Sequence, residues 1–254
     1  LSFDKPLAAY YIDDKGISPE QFLKTDIKNL DGLSGADIYT DGKLVHKTDA
    51  RAHDVVEWFK VVSEHGVNVP KTQRVVGETI TMQYVEHDED YFKNNTYKGL
   101  ALIQENLEKF KSIKIKKKTS FFDYIQRIKS HVDICDDLKE NIYLDLIDVG
   151  ELNESFSHGD FGVKNMLFDK DKLTLIDPIP EVFGCTELDI AKFIASLYIN
   201  GYKNDDILLS KRVLMCYNNI NENDINILIR SELARVVKYH PNKEFVIGLI
   251  HNVH

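Results

Sequence analysis

One aspartate-to-asparagine spacing, followed by a hairpin pattern, constrains this chain more than any other feature. Asp160 stands five residues before Asn165. An apolar run, 166–168, follows at once, and after a polar turn a second apolar run, 173–176, is followed by Asp177. Two short apolar runs joined by a polar turn predict a β-hairpin. Such a hairpin returns Asp177 to the neighbourhood of Asn165, although the two are twelve positions apart in sequence.

Oxygen-bearing side chains in this arrangement suit phosphoryl transfer from a nucleoside triphosphate. That reaction needs an acceptor hydroxyl held in line with the γ-phosphate, and cations that neutralise the phosphate oxygens. Asp160 is predicted to accept a hydrogen bond from the hydroxyl and is the candidate base. Asn165 and Asp177 are predicted to hold Mg²⁺, which prefers hard oxygen ligands and keeps several waters. The prediction depends on the combination, because each short motif alone also occurs in ordinary turns.

The sequence His-Gly-Asp at 158–160, with four variable residues before Asn165, resembles the loop of the aminoglycoside phosphotransferase and choline kinase family, relatives of the protein kinases. The resemblance is specific in this loop and diffuse elsewhere. It implies an α+β, bilobal protein-kinase-like fold. A small antiparallel β N-lobe with one main helix, residues 25–85, would bind the nucleotide, and a larger helical C-lobe, residues 86–254, would hold the catalytic loop and the acceptor.

The resemblance also assigns roles to residues beside the loop. It implies that His158 is structural and that Asp189, in the segment Leu-Asp-Ile-Ala, braces the catalytic loop. Asp177 is followed by Pro178, where protein kinases carry Asp-Phe-Gly. Proline fixes its own φ and lacks an N–H donor, which disfavours a flip of this segment.

Residues 25–47 read as three short strands with a glycine-bearing loop after the first. The strands are predicted at 27–30, 37–40 and 43–47. Ser34 and Gly35 are candidate phosphate contacts, because glycine lets backbone amides approach a phosphate closely. The pair Asp41-Gly42 predicts a type I′ hairpin turn.

By resemblance, Lys47 at the end of the third strand contacts the α- and β-phosphates, with a solvated lysine as the alternative.

A helix is predicted from about residue 50 to 64, capped by Asp49. Its apolar stripe is predicted to contain Ala52, Val55, Val56, Phe59 and Val62. Glu57 is nominated as the acidic partner of Lys47 although it lies off that stripe, and Asp54 is the alternative.

Met82, Gln83 and Val85 resemble the hinge between kinase lobes, whose backbone would hydrogen-bond the nucleotide base. An ordinary edge strand is the alternative. Because backbone atoms would contact the base, the side chains of this segment do not predict whether the nucleotide is ATP or GTP.

The C-lobe is predicted to be mostly helical, with helices at 121–132 and 136–149 and several more beyond 187. These last helices would form the wall of the acceptor site. Arg230, Glu232 and Arg235 are its candidate contacts.

Residues 1–24 resemble the end of a haloacid-dehalogenase-like phosphatase, with Lys5-Pro6 before a strand-like run that reaches Asp13-Asp14. The nucleophilic Asp-x-Asp motif is absent from this segment. We therefore expect no phosphatase activity from it, and a possible fusion to a preceding phosphatase-like domain in the full-length protein. An N-terminal strand and turn is the alternative.

Composition narrows the function further. The net charge of −9 disfavours general nucleic-acid binding. The three cysteines are scattered, as is typical of reduced thiols in a cytoplasmic protein. No apolar run approaches the roughly 20 residues that span a bilayer, so no membrane association is expected.

These observations predict a phosphotransferase that uses ATP, or GTP, and Mg²⁺ to phosphorylate a hydroxyl of a small molecule. The resemblance suggests an aminoglycoside or choline, and the N-terminal segment suggests a sugar or surface-polysaccharide precursor. A catalytically inactive nucleotide-binding module is the first alternative. A protein kinase is the second, disfavoured because no Ala-Pro-Glu segment follows Asp177.

Overall fold

The computed structural model describes residues 28–30, 37–114, 120–152, 154–180 and 184–253. Within these ranges the chain divides into two compact units. One holds the described residues up to Ala52 and the segment Lys71–Tyr84, and the other holds His53–Pro70 and the chain from Val85 onward. The predicted fold class, a small antiparallel sheet lobe and a larger helical lobe, is confirmed.

The smaller unit is a five-stranded antiparallel sheet. Its strands are β1 (Lys28–Leu30), β2 (Ile38–Thr40), β3 (Leu44–Thr48), β4 (Thr72–Val76) and β5 (Thr79–Gln83), in the order β1-β2-β3-β5-β4. Segment 53–70, which the sequence placed in the N-lobe, groups with the helical unit instead. Residues 1–24, with the phosphatase resemblance, lie outside the described residues.

The β2–β3 hairpin turns at Asp41-Gly42, but the predicted type I′ turn is wrong. That turn needs a positive φ at both central residues, whereas only Gly42 has one, at 82°. The Asp41 carboxylate instead accepts hydrogen bonds from the backbone N–H groups of Lys43, at 2.9 Å, and Leu44, at 2.7 Å. These side-chain bonds stabilise a longer turn without a left-handed residue at position 41.

The helical unit is built around a small hairpin and a series of helices. The helices in the described ranges are α1 (Ala52–Glu64), α2 (Tyr91–Asn94), α3 (Thr96–Ser112), α4 (Phe121–His131), α5 (Asp136–Ile147), α6 (Thr186–Ile199), α7 (Asn204–Asn218), α8 (Glu222–Val237) and α9 (Lys243–Asn252). The hairpin strands are β6 (Met166–Asp169) and β7 (Lys172–Leu175), preceded by a 3₁₀ turn, Val163–Asn165.

Helix α6 is the core of this unit. It is apolar on most of its faces and packs against α7 and α8, as expected for a helix buried on all sides. Lys192 and Ser196 are exceptions on it, being only partly buried. Although α6 is strongly apolar, neither it nor any other helix in the described ranges is long and apolar enough to cross a membrane.

Helix α1 packs on the segment that leads into residues 158–160. Four of the five residues predicted for its stripe are buried, Val56 is only partly buried, and Trp58 completes the stripe. The Trp58 indole N–H donates to the Ser157 carbonyl at 3.0 Å, and its ring meets the His158 ring edge to face at 5.1 Å. Trp58 thus fixes α1 against the loop.

Two helical glycines make a matched test of this packing. Gly99 in α3 faces the ring of Phe92, and a Cβ there would collide with that ring, which also contacts Phe168 and Phe193. Gly248 in α9 has open space around it. We expect Gly99→Ala to lower the free energy of unfolding by about 1–3 kcal/mol through overpacking.

Gly248→Ala should instead raise the free energy of unfolding by about 0.5–1 kcal/mol, because alanine has the higher helix propensity. Urea denaturation of both variants measures the difference. Equal stabilisation by the two substitutions would contradict the packing of Phe92 against Gly99.

Candidate active site

The β6–β7 hairpin places Asp177 near Asn165, as the sequence spacing predicted. The strands pair in antiparallel register, with Met166 opposite Leu175. The pairing continues for one further step, because the Ile176 N–H donates to the Asn165 carbonyl at 3.1 Å. Asp177 is therefore the first residue beyond the partner of Asn165.

Asp160 and Asn165 are joined directly. The Asn165 Nδ2 donates to the Asp160 carbonyl at 2.8 Å and to its carboxylate Oδ2 at 2.9 Å. Both partners are acceptors, which assigns the donating atom as the amide nitrogen. The amide oxygen of Asn165 is then the atom that remains for a cation.

His158 links the loop to the end of β7. Its Nε2 lies 2.9 Å from the Ile176 carbonyl, and its Nδ1 lies 3.3 Å from the Asp160 backbone N–H. A ring that donates at Nε2 and accepts at Nδ1 is neutral. Complete burial lowers the pKa of His158 to about 4, although the nearby Asp160 charge opposes that shift. His158 thus connects the loop to the end of β7 by hydrogen bonds, and the structural role named for it stays a prediction.

Gly159 permits a backbone approach that no other residue allows. Its φ is +76°, in the left-handed region, and a Cβ at this position would collide with the Ile179 carbonyl oxygen. The Ile179 N–H donates to the His158 carbonyl at 2.8 Å. The loop therefore packs against the segment after Asp177 by direct backbone contact, which explains the glycine of His-Gly-Asp.

The Asp189 carboxylate holds the same loop from α6. Its Oδ2 accepts from the His158 N–H at 2.9 Å, and its Oδ1 accepts from the Gly159 N–H at 3.1 Å. Burial raises the pKa of Asp189 to about 7; the two N–H donors oppose this shift, and the charges of Glu232 and Asp160 add to it. Asp189 thus binds two backbone amides of the loop, while its role as the brace of a catalytic loop stays a prediction.

Two further residues of α6 contact the loop. The Ser196 hydroxyl accepts from the Val163 N–H at 2.9 Å, and the Lys192 ammonium lies 3.2 Å from Asp160 Oδ1. Positions 189, 192 and 196 are separated by three and four residues, so their side chains share one helix face. We call Asp189, Lys192 and Ser196 the α6 stripe.

Sequence reasoning missed Lys192, although a lysine three residues after Asp189 in a mostly apolar helix was a usable signal. Burial opposes ionisation of Asp160, yet the Lys192 charge and the neighbouring donors hold the pKa of that carboxyl below its usual value. Lys192 also lies 3.5 Å from Glu232, which is bound to Arg235.

Glu232 and Arg235 are two of the three residues that the sequence analysis named as candidates for the acceptor wall. The third, Arg230, does not belong to this group of contacts and pairs with Asp145, at 2.6 Å.

In the sheet unit, Lys47 forms an ion pair that the sequence analysis did not nominate, and the nominated pairing with Glu57 stays a prediction. Its ammonium lies 3.0 Å from Asp49, and both side chains are largely buried. The reason is local: residues two apart in extended backbone point to the same side. Arg51 also binds Asp49, and although burial opposes ionisation, these contacts lower the pKa of Asp49 to about 2. Glu57, like the alternative Asp54, is exposed.

The other nucleotide-contact predictions fall in different places. Ser34 and Gly35 lie outside the described residues. Met82 and Gln83 end β5, with Met82 buried and Gln83 exposed. Val85 is half-buried, and its carbonyl lies 3.1 Å from the ring of His87. Nucleotide contact by these residues stays a prediction.

Comparison with known proteins identifies the fold. No protein-family model matches the chain, and no curated protein matches its sequence. Solved structures do match. A choline/ethanolamine kinase family protein from Mesorhizobium loti has 12% identity and a TM-score of 0.61, over 93% of this chain and 90% of that one.

Two further structures are similar to the same extent. The GDP complex of aminoglycoside 2′-phosphotransferase-IIIa has 13% identity and a TM-score of 0.64, over 89% of this chain and 91% of that one. The choline kinase LicA from Streptococcus pneumoniae has 13% identity and a TM-score of 0.62, with the same two coverages. The predicted resemblance is confirmed at the level of the fold.

The buried pair His158 and Asp189 makes opposite contributions to the pH dependence of stability. The folded pKa of His158 is about 4, below its ordinary 6.5, so its contribution is lost as pH falls through that interval. The folded pKa of Asp189 is about 7, above its ordinary 3.8, so its contribution is lost as pH rises towards 7. In the wild type the two slopes partly cancel between pH 4 and 6.5.

Asp189→Asn removes one of the two titrations. We expect its free energy of unfolding to fall on acidification from pH 6.5 to 4.5, by up to about 1.4 kcal/mol per pH unit, while the wild type changes less. Urea denaturation at several pH values measures both slopes. Asp171→Asn, on the exposed hairpin turn, should follow the wild type. Parallel curves for Asp189→Asn and the wild type would contradict the assigned shifts.

Proposed function

We propose that this protein is a phosphotransferase that moves the γ-phosphoryl group of ATP, or GTP, to a hydroxyl of a small molecule, with Mg²⁺. The proposal depends on the hydrogen bond between Asn165 and the Asp160 carboxylate. The register of the β6–β7 hairpin also brings Asp177 close to Asn165. The fold is shared with proteins named as choline kinases and aminoglycoside phosphotransferases, one of them a GDP complex.

The residues present fit a magnesium ion. The Asn165 amide nitrogen is bound to Asp160, which leaves the amide oxygen as a ligand. Asp177 is half-buried and has a φ of 60°, a conformation that aspartate tolerates better than most residues. Asn165 and Asp177 would hold the ion. When bound, the ion neutralises charge on the phosphate oxygens.

Asp160 is the group that would act on the acceptor. Its Oδ2 is bound to Asn165 and its Oδ1 to Lys192, which fixes the plane of the carboxylate. The lowered pKa of Asp160 keeps it ionised at neutral pH. An ionised Asp160 accepts the hydrogen bond of the acceptor hydroxyl and takes its proton as the new O–P bond forms.

One observation favours the second candidate, a nucleotide-binding module without catalysis. Lys47 is paired with Asp49, its neighbour in the chain, whereas the resemblance places the acidic partner on the following helix. Turnover separates the two candidates, because the module would bind nucleotide without consuming it in the presence of any acceptor.

We expect Asp160→Asn to lower phosphate transfer by about 10²–10⁴-fold, the usual contribution of a general base, while nucleotide affinity changes little. A panel of amino sugars, choline, sugars and sugar acids, assayed by ADP release, measures transfer. Calorimetry measures nucleotide binding, and Asp171→Asn is the control. Transfer by Asp160→Asn at the wild-type rate would refute the role given to Asp160.

Asp177→Asn serves as the complementary variant in the same experiment. Asparagine keeps the tolerance for positive φ and removes the charge, so the protein should fold while its affinity for Mg²⁺-nucleotide falls. An unchanged affinity would remove Asp177 from the metal site and leave the assignment of Asp160 standing.

A further inference from the structure

Four charged side chains form a row that begins at Asp160. Lys192 lies 3.2 Å from Asp160 Oδ1 and 3.5 Å from Glu232 Oε2. The Nη1 of Arg235 lies 2.8 Å from Glu232 Oε1 and 3.0 Å from Oε2. The charges therefore alternate along the row, with an anion at the reacting end and a cation at the far end.

Glu232 cannot recognise a cationic acceptor. Its side chain is only 2% exposed, and besides Lys192 and Arg235 it binds the Tyr124 hydroxyl, at 2.7 Å. Its Oε1 accepts two hydrogen bonds, and its Oε2 accepts one from Arg235 and is in ion-pair contact with Lys192. A buried carboxylate with this many partners has no remaining capacity for an ammonium group from solution.

Lys192 and Arg235, unlike Glu232, have hydrogen-bonding groups that remain available to a ligand. The Lys192 side chain is 17% exposed and the Arg235 side chain 31% exposed. Lys192 has three N–H donors and two acceptors. Of the five N–H donors of Arg235, only those on Nη1 have partners among the described residues. Asp160, whose side chain is 32% exposed, is the anion that would meet the reacting hydroxyl. Beyond Asp160, the accessible charged groups of the row are positive.

An acceptor that reaches Asp160 comes close to Lys192. Each Asp160 carboxylate oxygen has one side-chain partner, Asn165 at Oδ2 and Lys192 at Oδ1, so each can accept a further hydrogen bond from a hydroxyl. A cationic acceptor would place a further positive charge beside Lys192 and Arg235, which costs energy at short range. An anionic group on the acceptor would instead accept a hydrogen bond from the remaining N–H of the Lys192 ammonium.

We infer that the acceptor carries a carboxylate or phosphate group close to its reacting hydroxyl, and that Lys192 and Arg235 bind that group. The inference rests on the proposed function and specifies its substrate class. Choline, the substrate named for two of the similar structures, is a cation and does not fit this row.

The test uses small probes that need no knowledge of the acceptor scaffold. Inorganic phosphate, acetate and tetramethylammonium are titrated into the protein with and without saturating Mg²⁺ and AMP-PNP, and binding is measured by calorimetry. Comparison of phosphate with acetate separates the two anion chemistries. The variants are Lys192→Met and Arg235→Met. Lys109→Met is the control, since Lys109 is a partly exposed lysine paired with Glu105.

We expect one of the two anions to bind the wild type and Lys109→Met, and to bind each of the other two variants about tenfold more weakly. Tetramethylammonium should not bind. The inference is overturned if neither anion binds the wild type, if all variants bind the anion equally, or if tetramethylammonium binds. Circular dichroism checks that the variants are folded.

The same experiment can refute the proposed function and the inferred substrate class independently of each other. If AMP-PNP does not bind the wild type, the proposed function is refuted, and the titration without nucleotide still decides whether Lys192 and Arg235 form an anion site. If AMP-PNP binds and the anion results are negative, the proposed function stands and only the substrate class is wrong.

Discussion

The site depends on one buried carboxylate that accepts two backbone N–H groups. Asp189 lies in the core of the helical unit and binds the amides of His158 and Gly159. Burial of a carboxyl group is unfavourable unless it is hydrogen-bonded, so Asp189 and the loop stabilise each other. Helix α6 is buried on most of its faces. Because Asp189 belongs to this helix, its two hydrogen bonds fix the loop to the core of the helical unit.

Further contacts extend this constraint from the loop to the hairpin. His158 connects the end of β7 to the backbone of Asp160, and Asn165 connects the start of β6 to the Asp160 carboxylate. Lys192 holds the other carboxylate oxygen. The carboxylate that would receive the acceptor proton is thus held by two side chains, and the Asp160 backbone by a third, before any substrate arrives, as electrostatic preorganisation requires.

The residue pattern predicted the local features, and the family resemblance predicted the contact of Asp189 with the loop, but other long-range contacts were missed. The hairpin and the approach of Asp177 to Asn165 followed from two apolar runs and the turn between them, because strand pairing after a short turn is local. Trp58 lay at the expected stripe spacing, but its contact with Ser157 spans 99 positions of sequence. The sequence shows that Lys192 is a charged residue on a mostly apolar helix. Its contact with Asp160, however, could be identified only from the fold.

The ion pair between Lys47 and Asp49 in the sheet unit, which the sequence analysis did not predict, has a local cause. Glu57 was nominated by analogy with a helix position, whereas Asp49 reaches Lys47 from the same side of the extended chain. Asp41 likewise shows a side chain that overrides a dipeptide rule by binding the backbone of its own turn. In both cases short-range aspartate contacts decided the geometry.

Amide hydrogen exchange tests the hold of the α6 stripe on the loop most directly. The N–H groups of His158, Gly159 and Val163 are the ones bound by Asp189 and Ser196. If the stripe fixes the loop to the core, these three amides exchange as slowly as the amides in the middle of α6. Exchange at the fast rate of the exposed hairpin turn around Asp171 would show that the loop is not held by this helix, and would contradict the account.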